Sequence, residues 1–415
     1  MIRVGVESLA EMLAQEANRG GGRVFVQSGA AEPLQLLGAF QARPGLAEGL
    51  TFLSAMVPGV NRSDWAALSG GRSEGTFVSA DWRPSFENGR FTLRPQTWFQ
   101  TYGWLGETPL DAAVVQVSPP DAAGLCSLGV AADMAPAVLN RRVFKAALIN
   151  PNMPRTTGPS VPLDAFDLVA ETEAPLLSYD AGGLDPAFDV IAGRIAGLIP
   201  EGGVLQFGIG KVGVAALAGL AGRKGLKIHS GMVTEPLLQA LDAEVFETVV
   251  TGMAMGTDAL YRRCGEDARI RFEPSNVTHD VRVLAKIPRL VAINSSLEVD
   301  LFGQANAEFM AGRQISGIGG LTDFLRGARL SEGGVPIVAL AATAKGGSLS
   351  RIVPRLEPNA VSVPRADLAV VVTEFGTADL RGLSLDGRAQ ALIGVAAPQH
   401  RDGLEAAWVE MRRGM

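Results

Sequence analysis

The sequence is poor in the residues that bind transition metals and form disulfides, since its 415 residues include only two cysteines and three histidines. Cys126 and Cys264 are too few for a disulfide-stapled fold or a cysteine-ligated zinc site, and such scarcity is typical of a reducing compartment. His229, His279 and His400 lie far apart in the sequence, and no H-E-x-x-H string occurs. We therefore expect no metal site and a cytoplasmic location.

An excess of basic residues and a long apolar run are also absent. The 37 basic residues are outnumbered by 43 acidic ones, and the resulting net charge of −6 argues against a nucleic-acid partner. No uncharged apolar run reaches the roughly 18 residues that a membrane-spanning helix needs. Residues 1–20 carry Glu7 and Glu11 within their apolar pattern, which indicates an amphipathic helix rather than a signal peptide. We expect neither a nucleic-acid nor a membrane partner.

Apolar residues and glycine are abundant. Hydrophobic residues make up 47% of the chain and charged residues 19%, the balance of a folded globular protein. The length exceeds that of one ordinary domain of about 100 to 200 residues. The 50 glycines follow no collagen-like period, so they indicate tight turns and places where the backbone closely approaches another group.

Apolar runs rich in β-branched residues alternate with helical patterns along most of the chain. Such alternation is the signature of an α/β fold with largely parallel, buried strands. The predicted strands cover residues 23–27, 50–56, 112–117, 145–150, 204–208, 226–230, 248–253, 290–294, 335–340 and 368–373. The predicted helices include residues 6–18, 188–198, 212–222, 236–243 and 385–394.

A stretch rich in turn residues divides the chain into two comparable halves. It covers residues 151–185 and contains the clusters MPRTTGPSVP and DAGGLDP. We place a domain boundary near residue 185, with an N-terminal domain over 1–185 and a C-terminal domain over 186–415. Each half also has a strand that leads to an aspartate and then a glycine, at 117–124 and 297–303, which suggests a distant duplication.

The sharpest local motif is a glycine loop after the predicted strand at 204–208. Gly208, Gly210 and Gly213 form a G-x-G-x-x-G string that opens a helix, and backbone N–H groups at a helix start can bind a phosphate or another anion. A dinucleotide site needs an acidic residue about 20 positions later, where residues 229–231 read HSG. This disfavours NAD and leaves a phosphate-bearing or thioester ligand, or an unliganded turn.

A second glycine loop lies at residues 316–328, with the sequence SGIGGLTDFLRGA. Gly317, Gly319 and Gly320 are closely spaced, so exposed N–H groups can converge there. Such a loop can serve as an oxyanion hole or as a structural bend.

The sequence disfavours a serine-hydrolase nucleophile and a P-loop nucleotide site. Residues 71–75 match G-x-S-x-G, but Ser73 is expected between a helix and a strand, the reverse of the order in a hydrolase elbow. No G-x-x-x-x-G-K-[ST] string occurs, which removes the usual P-loop. Of the histidines, His229 ends a predicted strand at the rim where open α/β sheets bind ligands, whereas His279 and His400 are expected to be polar surface residues.

At the level of longer motifs the chain resembles the acetyl-CoA hydrolase/transferase family of family I coenzyme A transferases, and is similar to 4-hydroxybutyrate CoA-transferase. The motifs that carry the resemblance are VSPPDAAGLCSLG at 117–129, FGIGKV at 207–212, AINSSLEVDLFGQANAE at 292–308, SGIGGLTDFLRGA at 316–328, SRIVPRL at 350–356 and RADLAVVVTEFGTADLRGLSLDGRAQALI at 365–393.

The resemblance implies two similar open α/β domains of the CoA-transferase type (NagB/RpiA-like), with an acyl-CoA bound between them. It implies a coenzyme A thioester as substrate or ligand and no tightly bound cofactor. A small carboxylic acid would be the second substrate, and the assembly would be a homodimer or a dimer of dimers. The positions that it implies for substrate binding are Gly208, Ile209, Gly210, Lys211, Val212, Gly231, Leu297, Gly319 and Gly320.

The chain departs from the family at the residue on which the chemistry depends. A family glutamate attacks the acyl-CoA carbonyl and forms an anhydride, which CoA then converts to a glutamyl thioester. This sequence has Gly231 at that position, and Glu235 stands where relatives commonly carry another acid. Leu321 replaces a glutamine that is frequent after the paired glycines.

Three hypotheses follow from the missing glutamate. In the first, the protein hydrolyses a short acyl-CoA, with Glu235 or His229 as the general base for a water that occupies the space beside Gly231. In the second, it is a CoA-transferase that uses Glu235 as its nucleophile. In the third, it is a non-catalytic acyl-CoA binder.

Overall fold

The computed structural model describes residues 1–180, 182, 186–208, 210–220, 222–357 and 361–415. It divides the chain into two compact units. Unit 1 comprises Met1–Asp180, Gly231–Glu235 and Val249–Thr278; unit 2 comprises Ala181–Ser230, Pro236–Thr248 and His279–Met415. The expected boundary near residue 185 lies close to the division after Asp180, but two later segments belong to unit 1.

Unit 1 is built on an eight-stranded sheet of order β1-β10-β8-β6-β2-β3-β4-β5, in which all neighbours are parallel. The central strand β6 has the sequence AAVVQV and is buried along its whole length, as expected for a parallel strand covered on both faces. The elements of residues 1–180 are β1 (Ile2–Arg3), α1 (Val6–Arg19), β2 (Arg23–Val26), α2 (Leu34–Ala42), β3 (Thr51–Leu53), β4 (Arg72–Gly75), α3 (Arg83–Glu87), β5 (Phe91–Leu93), α4 (Trp98–Glu107), β6 (Ala112–Val117), β7 (Leu125–Ser127), α5 (Ala135–Leu139), β8 (Phe144–Ile149), β9 (Ser160–Pro162) and β10 (Leu168–Glu171).

The rest of the chain continues the alternation of strands and helices. Its elements are α6 (Pro186–Ala196), β11 (Val204–Phe207), α7 (Lys211–Ala218), β12 (Leu226–Thr234), α8 (Leu237–Asp242), β13 (Phe246–Met255), α9 (Asp258–Glu266), β14 (Ile270–Phe272), α10 (Ser275–Thr278), α11 (Val281–Leu284), β15 (Leu290–Ser295), β16 (Glu298–Asp300), β17 (Ala305–Asn306), β18 (Phe309–Met310), β19 (Arg313–Gln314), α12 (Leu321–Leu330), β20 (Val335–Ala339), β21 (Thr343–Ala344), β22 (Leu349–Ser350), β23 (Ile352–Val353), β24 (Val370–Thr373), β25 (Gly376–Asp379), α13 (Leu385–Val395) and α14 (Pro398–Arg413).

The sheet of unit 2 runs from the first residues of β12 through β11, β15, β20 and β24 to β25. Its pairs are parallel except for β24 and β25, which form an antiparallel edge. Unit 1 contains the second part of β13, paired in parallel with β14. The carboxyl ends of parallel strands share one edge of a sheet, so the loops that follow β11 and β15 emerge together.

Helix α12 shows how the apolar pattern positions the second glycine loop. Its buried residues include Leu321, Phe324, Leu325 and Ala328, whose spacing of three and four forms one apolar stripe. The stripe belongs to the core of unit 2. Because Gly320 caps the helix at its first turn, this packing fixes where the second glycine loop ends.

The α/β prediction is confirmed, and most predicted strands differ from the structure only at their ends. Strand β12 is longer than predicted and continues to Thr234, so position 231 lies inside a strand. The helix predicted over 212–222 ends at Ala218, because Gly219 terminates it. Ser73 lies within β4 and not at an elbow. Among the described residues, no helix has the length and apolar character needed to cross a membrane.

Candidate active site

The first glycine loop is shaped by close backbone contacts. The N–H of Gly208 donates to the carbonyl oxygen of Ile293 at 2.8 Å, and a Cβ at Gly208 would lie 2.9 Å from Asn294 Oδ1. A Cβ at Gly213 would lie 2.9 Å from the carbonyl oxygen of Gly208. Gly210 has a φ of +117°, which is open to glycine and strained for other residues. The spacing of the motif therefore follows from packing, and it leaves bare backbone at the start of α7.

The side chains around the first glycine loop include a hydrogen-bonded amide pair, a buried valine and an exposed lysine. Asn294 and Gln206 exchange two hydrogen bonds, of 2.8 and 3.3 Å, beneath Gly208. Val212 is buried, whereas Lys211 is exposed at the first position of α7, where its ammonium group can meet a phosphate. Ile209 lies outside the described residues.

The second glycine loop packs against a buried histidine. A Cβ at Gly320 would lie 2.7 Å from His279 Nε2, and the His279 ring is 4.7 Å from that of Phe324. Burial, followed by the charge of His229, lowers the pKa of His279 to about 3, so this imidazole is neutral. The expectation that His279 is a surface residue is wrong, because the glycine leaves room for the ring under α12. Gly319, with a φ of +57°, makes the turn before Gly320.

Position 231, in the middle of β12, is a glycine and so has no side chain. Gly231 and His229 are both buried, and residues two apart in a strand have their Cβ positions on the same face. Ser230 points to the other face, where its hydroxyl donates to the carbonyl oxygen of Phe207 at 3.3 Å. The predicted base His229 and the missing glutamate therefore share one side of the strand.

Glu235 is held by the residue that begins α9. Its Oε2 accepts a hydrogen bond from the N–H of Thr257 at 2.8 Å, and its Oε1 accepts one from Thr257 Oγ1 at 2.9 Å. Thr257 in turn caps α9 through Ala259. These contacts anchor the Glu235 side chain at the start of α9 and give it a structural role.

Sequence reasoning missed a buried carboxyl group in unit 1. Asp133 is fully buried, and burial raises its pKa to about 7, against the opposing effect of hydrogen bonds from Met134 and Trp98. Within the described residues Asp133 Oδ2 has no partner. A Cβ at Gly252 would lie 3.1 Å from Asp133 Cβ and 2.9 Å from the carbonyl oxygen of Gly231. Gly252 of β13 is therefore close both to the Asp133 side chain and to the backbone of position 231.

Leu297 lies in the turn after β15, where it is half-buried and its N–H donates to the carbonyl oxygen of Asn306 at 2.7 Å. Since β11 and β15 pair in parallel, this turn and the Gly208 loop leave the same edge of the sheet. Across the described parts of the chain, no three histidine, cysteine, aspartate or glutamate side chains come together as a metal-ligand set.

Comparison with known proteins places these features in a family. Residues 256–408 match the acetyl-CoA hydrolase/transferase C-terminal domain. The chain is 35% identical over 346 residues to the 4-hydroxybutyrate coenzyme A transferase of Clostridium kluyveri, covering 80% of this chain and 81% of that protein. The chain belongs to the acetyl-CoA hydrolase/transferase family. The resemblance stated from the motifs is thereby confirmed.

Other members of this family differ in the reaction that their names state. The chain is 34% identical to the butyryl-CoA:acetate CoA-transferase of Anaerostipes caccae, with 71% of each chain covered. It is 29% identical to the acetyl-CoA hydrolase of Yarrowia lipolytica, over 61% of this chain and 51% of that protein. Among solved structures, RipA from Yersinia pestis matches with a TM-score of 0.91 at 29% identity, covering 99% of this chain and 97% of RipA.

Proposed function

We propose that this protein hydrolyses a short acyl-CoA thioester to a carboxylic acid and free CoA. The observation that carries the proposal is the glycine at position 231, inside β12, where the resemblance implies a nucleophilic glutamate. Both glycine loops are present in the sequence despite this change. Without a carboxylate at that position, the simplest remaining nucleophile is water.

His229 is the side chain that we assign as the general base. It lies on the same face of β12 as position 231, at the roughly 6 to 7 Å spacing of alternate strand residues. A water in the space of the absent side chain would lie within reach of this imidazole, which would take its proton as the water attacks the thioester carbonyl. His279, kept neutral by burial, adds no competing positive charge.

The oxyanion would be stabilised by backbone N–H groups. The N–H of Gly208 already donates to Ile293, so the donors must come from elsewhere. The first N–H groups of a helix have no partner within the helix, and α7 and α12 begin directly after the two glycine loops. In α12 the N–H of Leu321 already donates to the carbonyl oxygen of Ile318 at 3.4 Å, so the donors there would be the N–H groups that follow it. Collapse of the tetrahedral species would expel the CoA thiolate.

Thiol release without an acceptor acid tests this proposal. The purified protein would be incubated with acetyl-, propionyl- and butyryl-CoA, with and without a second carboxylic acid, while free thiol is measured. We expect release that does not depend on the added acid. Release only with an acceptor acid would support transfer through another carboxylate such as Glu235. Tight binding without turnover would support a non-catalytic binder. The homodimer or dimer of dimers and the cytoplasmic location stay predictions.

A Glu235→Gln variant separates the structural role of this residue from a catalytic one. Glutamine keeps an acceptor for Thr257 but removes the charge at the start of α9, which should cost about 0.3 to 1 kcal/mol of stability. We expect the rate of thiol release to stay within about threefold of the original, since His229 is the proposed base. Urea unfolding and initial rates would be compared with those of Glu247→Gln, an exposed control. A fall of about 10²-fold or more in a folded protein would assign the catalysis to Glu235 instead.

The buried carboxyl group of Asp133 should make stability depend on pH. The unfolded chain releases this proton near pH 3.9, whereas the folded protein keeps it until about pH 7. Between these values the folded state binds the extra proton, so stability falls as the pH rises. Relative to Asp133→Asn, the original protein should lose about 2 to 4 kcal/mol of unfolding free energy between pH 4 and pH 8.

Urea unfolding at several pH values would measure this difference, with Asp402→Asn as an exposed control. If the stability difference between the original protein and Asp133→Asn is the same at every pH, the assignment of the raised pKa to Asp133 is wrong.

A further inference from the structure

Two arginines of unit 2 lie over one aromatic ring, a third donates a hydrogen bond to one of them, and a fourth acts on the third through its charge. The guanidinium carbons of Arg355 and Arg365 each lie 5.6 Å from the centre of the Phe302 ring. Arg388 Nη1 donates to the carbonyl oxygen of Arg365 at 2.8 Å. Burial, then the charges of Arg329 and Arg365, lower the pKa of Arg388, which places Arg329 within electrostatic range. We call Arg329, Arg355, Arg365 and Arg388 the arginine cluster.

The arginine cluster has no counter-charge of its own. In the part of the chain that the structure describes, none of its four members forms an ion pair. Of the carboxylates close to it in sequence, Asp367 pairs with Arg326 and Asp386 with Arg412. Glu332 and Glu357 are exposed, and among the described residues neither forms an ion pair with the cluster. Asp300 accepts hydrogen bonds from its own turn. Four neighbouring arginines without an ion-pair partner, on a chain of net charge −6, favour an anion as the partner of the cluster.

The ring at the centre of the arginine cluster is held in place. Asp300 Oδ1 accepts from the N–H of Phe302 at 3.1 Å, which fixes the turn that carries the ring. Trp408 packs against Phe302 with ring centres 5.4 Å apart. The next residue, Gly303, has a φ of +80°, and a Cβ there would lie 2.9 Å from Arg388 Nη1. The ring that the Arg355 and Arg365 guanidinium groups contact is therefore held by its own turn and by Trp408.

Two members of the arginine cluster lie at the ends of their elements away from the glycine loops of the same unit. Arg329 lies in the last turn of α12, whereas Gly320 caps the start of this helix, and ten helical residues span about 15 Å. Arg365 precedes β24 and so lies towards its amino end, whereas ligands of open α/β sheets bind at carboxyl ends. Arg329 and Arg365 therefore lie away from the edge of the sheet that carries the glycine loops.

We propose that the arginine cluster binds an anion with two or more linked phosphate groups. The planar guanidinium fork fits phosphate oxygens with two parallel hydrogen bonds, and several such forks in electrostatic range match adjacent phosphates better than a single carboxylate. The diphosphate could be free, as in pyrophosphate or a nucleotide, or belong to CoA. The two sources share this chemistry, and the experiment distinguishes them.

Calorimetric titration with inorganic pyrophosphate at constant ionic strength tests the proposal. We expect saturable binding with one site per chain that weakens at least tenfold in the double variant Arg355→Gln/Arg365→Gln. The double variant Arg262→Gln/Arg313→Gln, which removes two other exposed arginines, should bind as the original does. Urea unfolding of both variants would verify that they are folded. Absence of pyrophosphate binding, or equal weakening in both variants, would overturn the proposal.

Two further arms identify the source of the phosphates. Titration with CoA and with ADP would show which compound loses affinity in the Arg355→Gln/Arg365→Gln variant, and either loss supports the site. Binding of a polyglutamate peptide but not of pyrophosphate would overturn the proposal in favour of an acidic protein partner. Since binding is measured directly, the result does not depend on whether the protein hydrolyses thioesters.

Discussion

Replacing Gly231 with glutamate is expected to give the protein CoA-transferase activity. The position lies inside β12, outside the glycines with positive φ, so the strand can hold a glutamate in an ordinary extended conformation. The new carboxylate would stand at the sequence position where the resemblance implies the nucleophilic glutamate. With acetyl-CoA and propionate as substrates, formation of propionyl-CoA should rise by about 10²-fold or more over the original protein.

The matched control for this change is Gly231→Gln. Glutamine has nearly the same shape as glutamate, but its neutral amide cannot replace the carboxylate that forms the acyl anhydride. It should therefore fill the water space and lower hydrolysis without adding transfer. Chromatography of the CoA esters would follow both variants. Equal, unchanged hydrolysis in the two variants would show that position 231 does not face the thioester, and the proposed function would lose its main support.

Loss of His229 is expected to have the second largest effect. A positioned general base contributes about 10² to 10⁴-fold to rate, so His229→Ala should lower thiol release by a factor in that range. Since the variant leaves a cavity of imidazole size, added imidazole should restore part of the rate. Substrate binding should change much less than turnover, because the glycine loops are intact.

His400→Gln is the control for this experiment. His400 is half-buried, and its Nε2 lies 3.0 Å from the carbonyl oxygen of Gly347. The rate of this variant should match that of the original protein. If His229→Ala retained full turnover while remaining folded, the general base would have to be another group, and Asp133 would be the first to test.

Much of the fold could be predicted because buried parallel strands leave continuous apolar runs in the sequence. Strand β6, buried along its whole length, was predicted with both ends correct. Helix α4 was missed although its start carries a local signal. Thr97 and Gln100 form a capping box there, and the string TWFQ shows it. The predicted boundary could not show that β12 and β13 each cross between units, since that division depends on contacts distant in sequence.

The candidate site was only partly visible in the sequence. Its glycine loops were predicted because tight turns restrict residue type. His279 was misplaced, since its burial depends on the missing Cβ of Gly320. Asp133 was missed because a single aspartate in an apolar stretch has no periodic signal. The bond between Glu235 and Thr257 joins residues 22 positions apart, which spacing alone does not reveal.

The most direct test of the central claim is the intact mass of the protein during turnover. The protein would be mixed with propionyl-CoA, quenched in acid while thiol release is still linear, and weighed by mass spectrometry. If water attacks the thioester directly, thiol is released and the protein keeps its unmodified mass. A protein population heavier by a propionyl group or by CoA, located on a carboxylate such as Glu235, would contradict direct hydrolysis and show that this chain replaces its missing glutamate with another nucleophile.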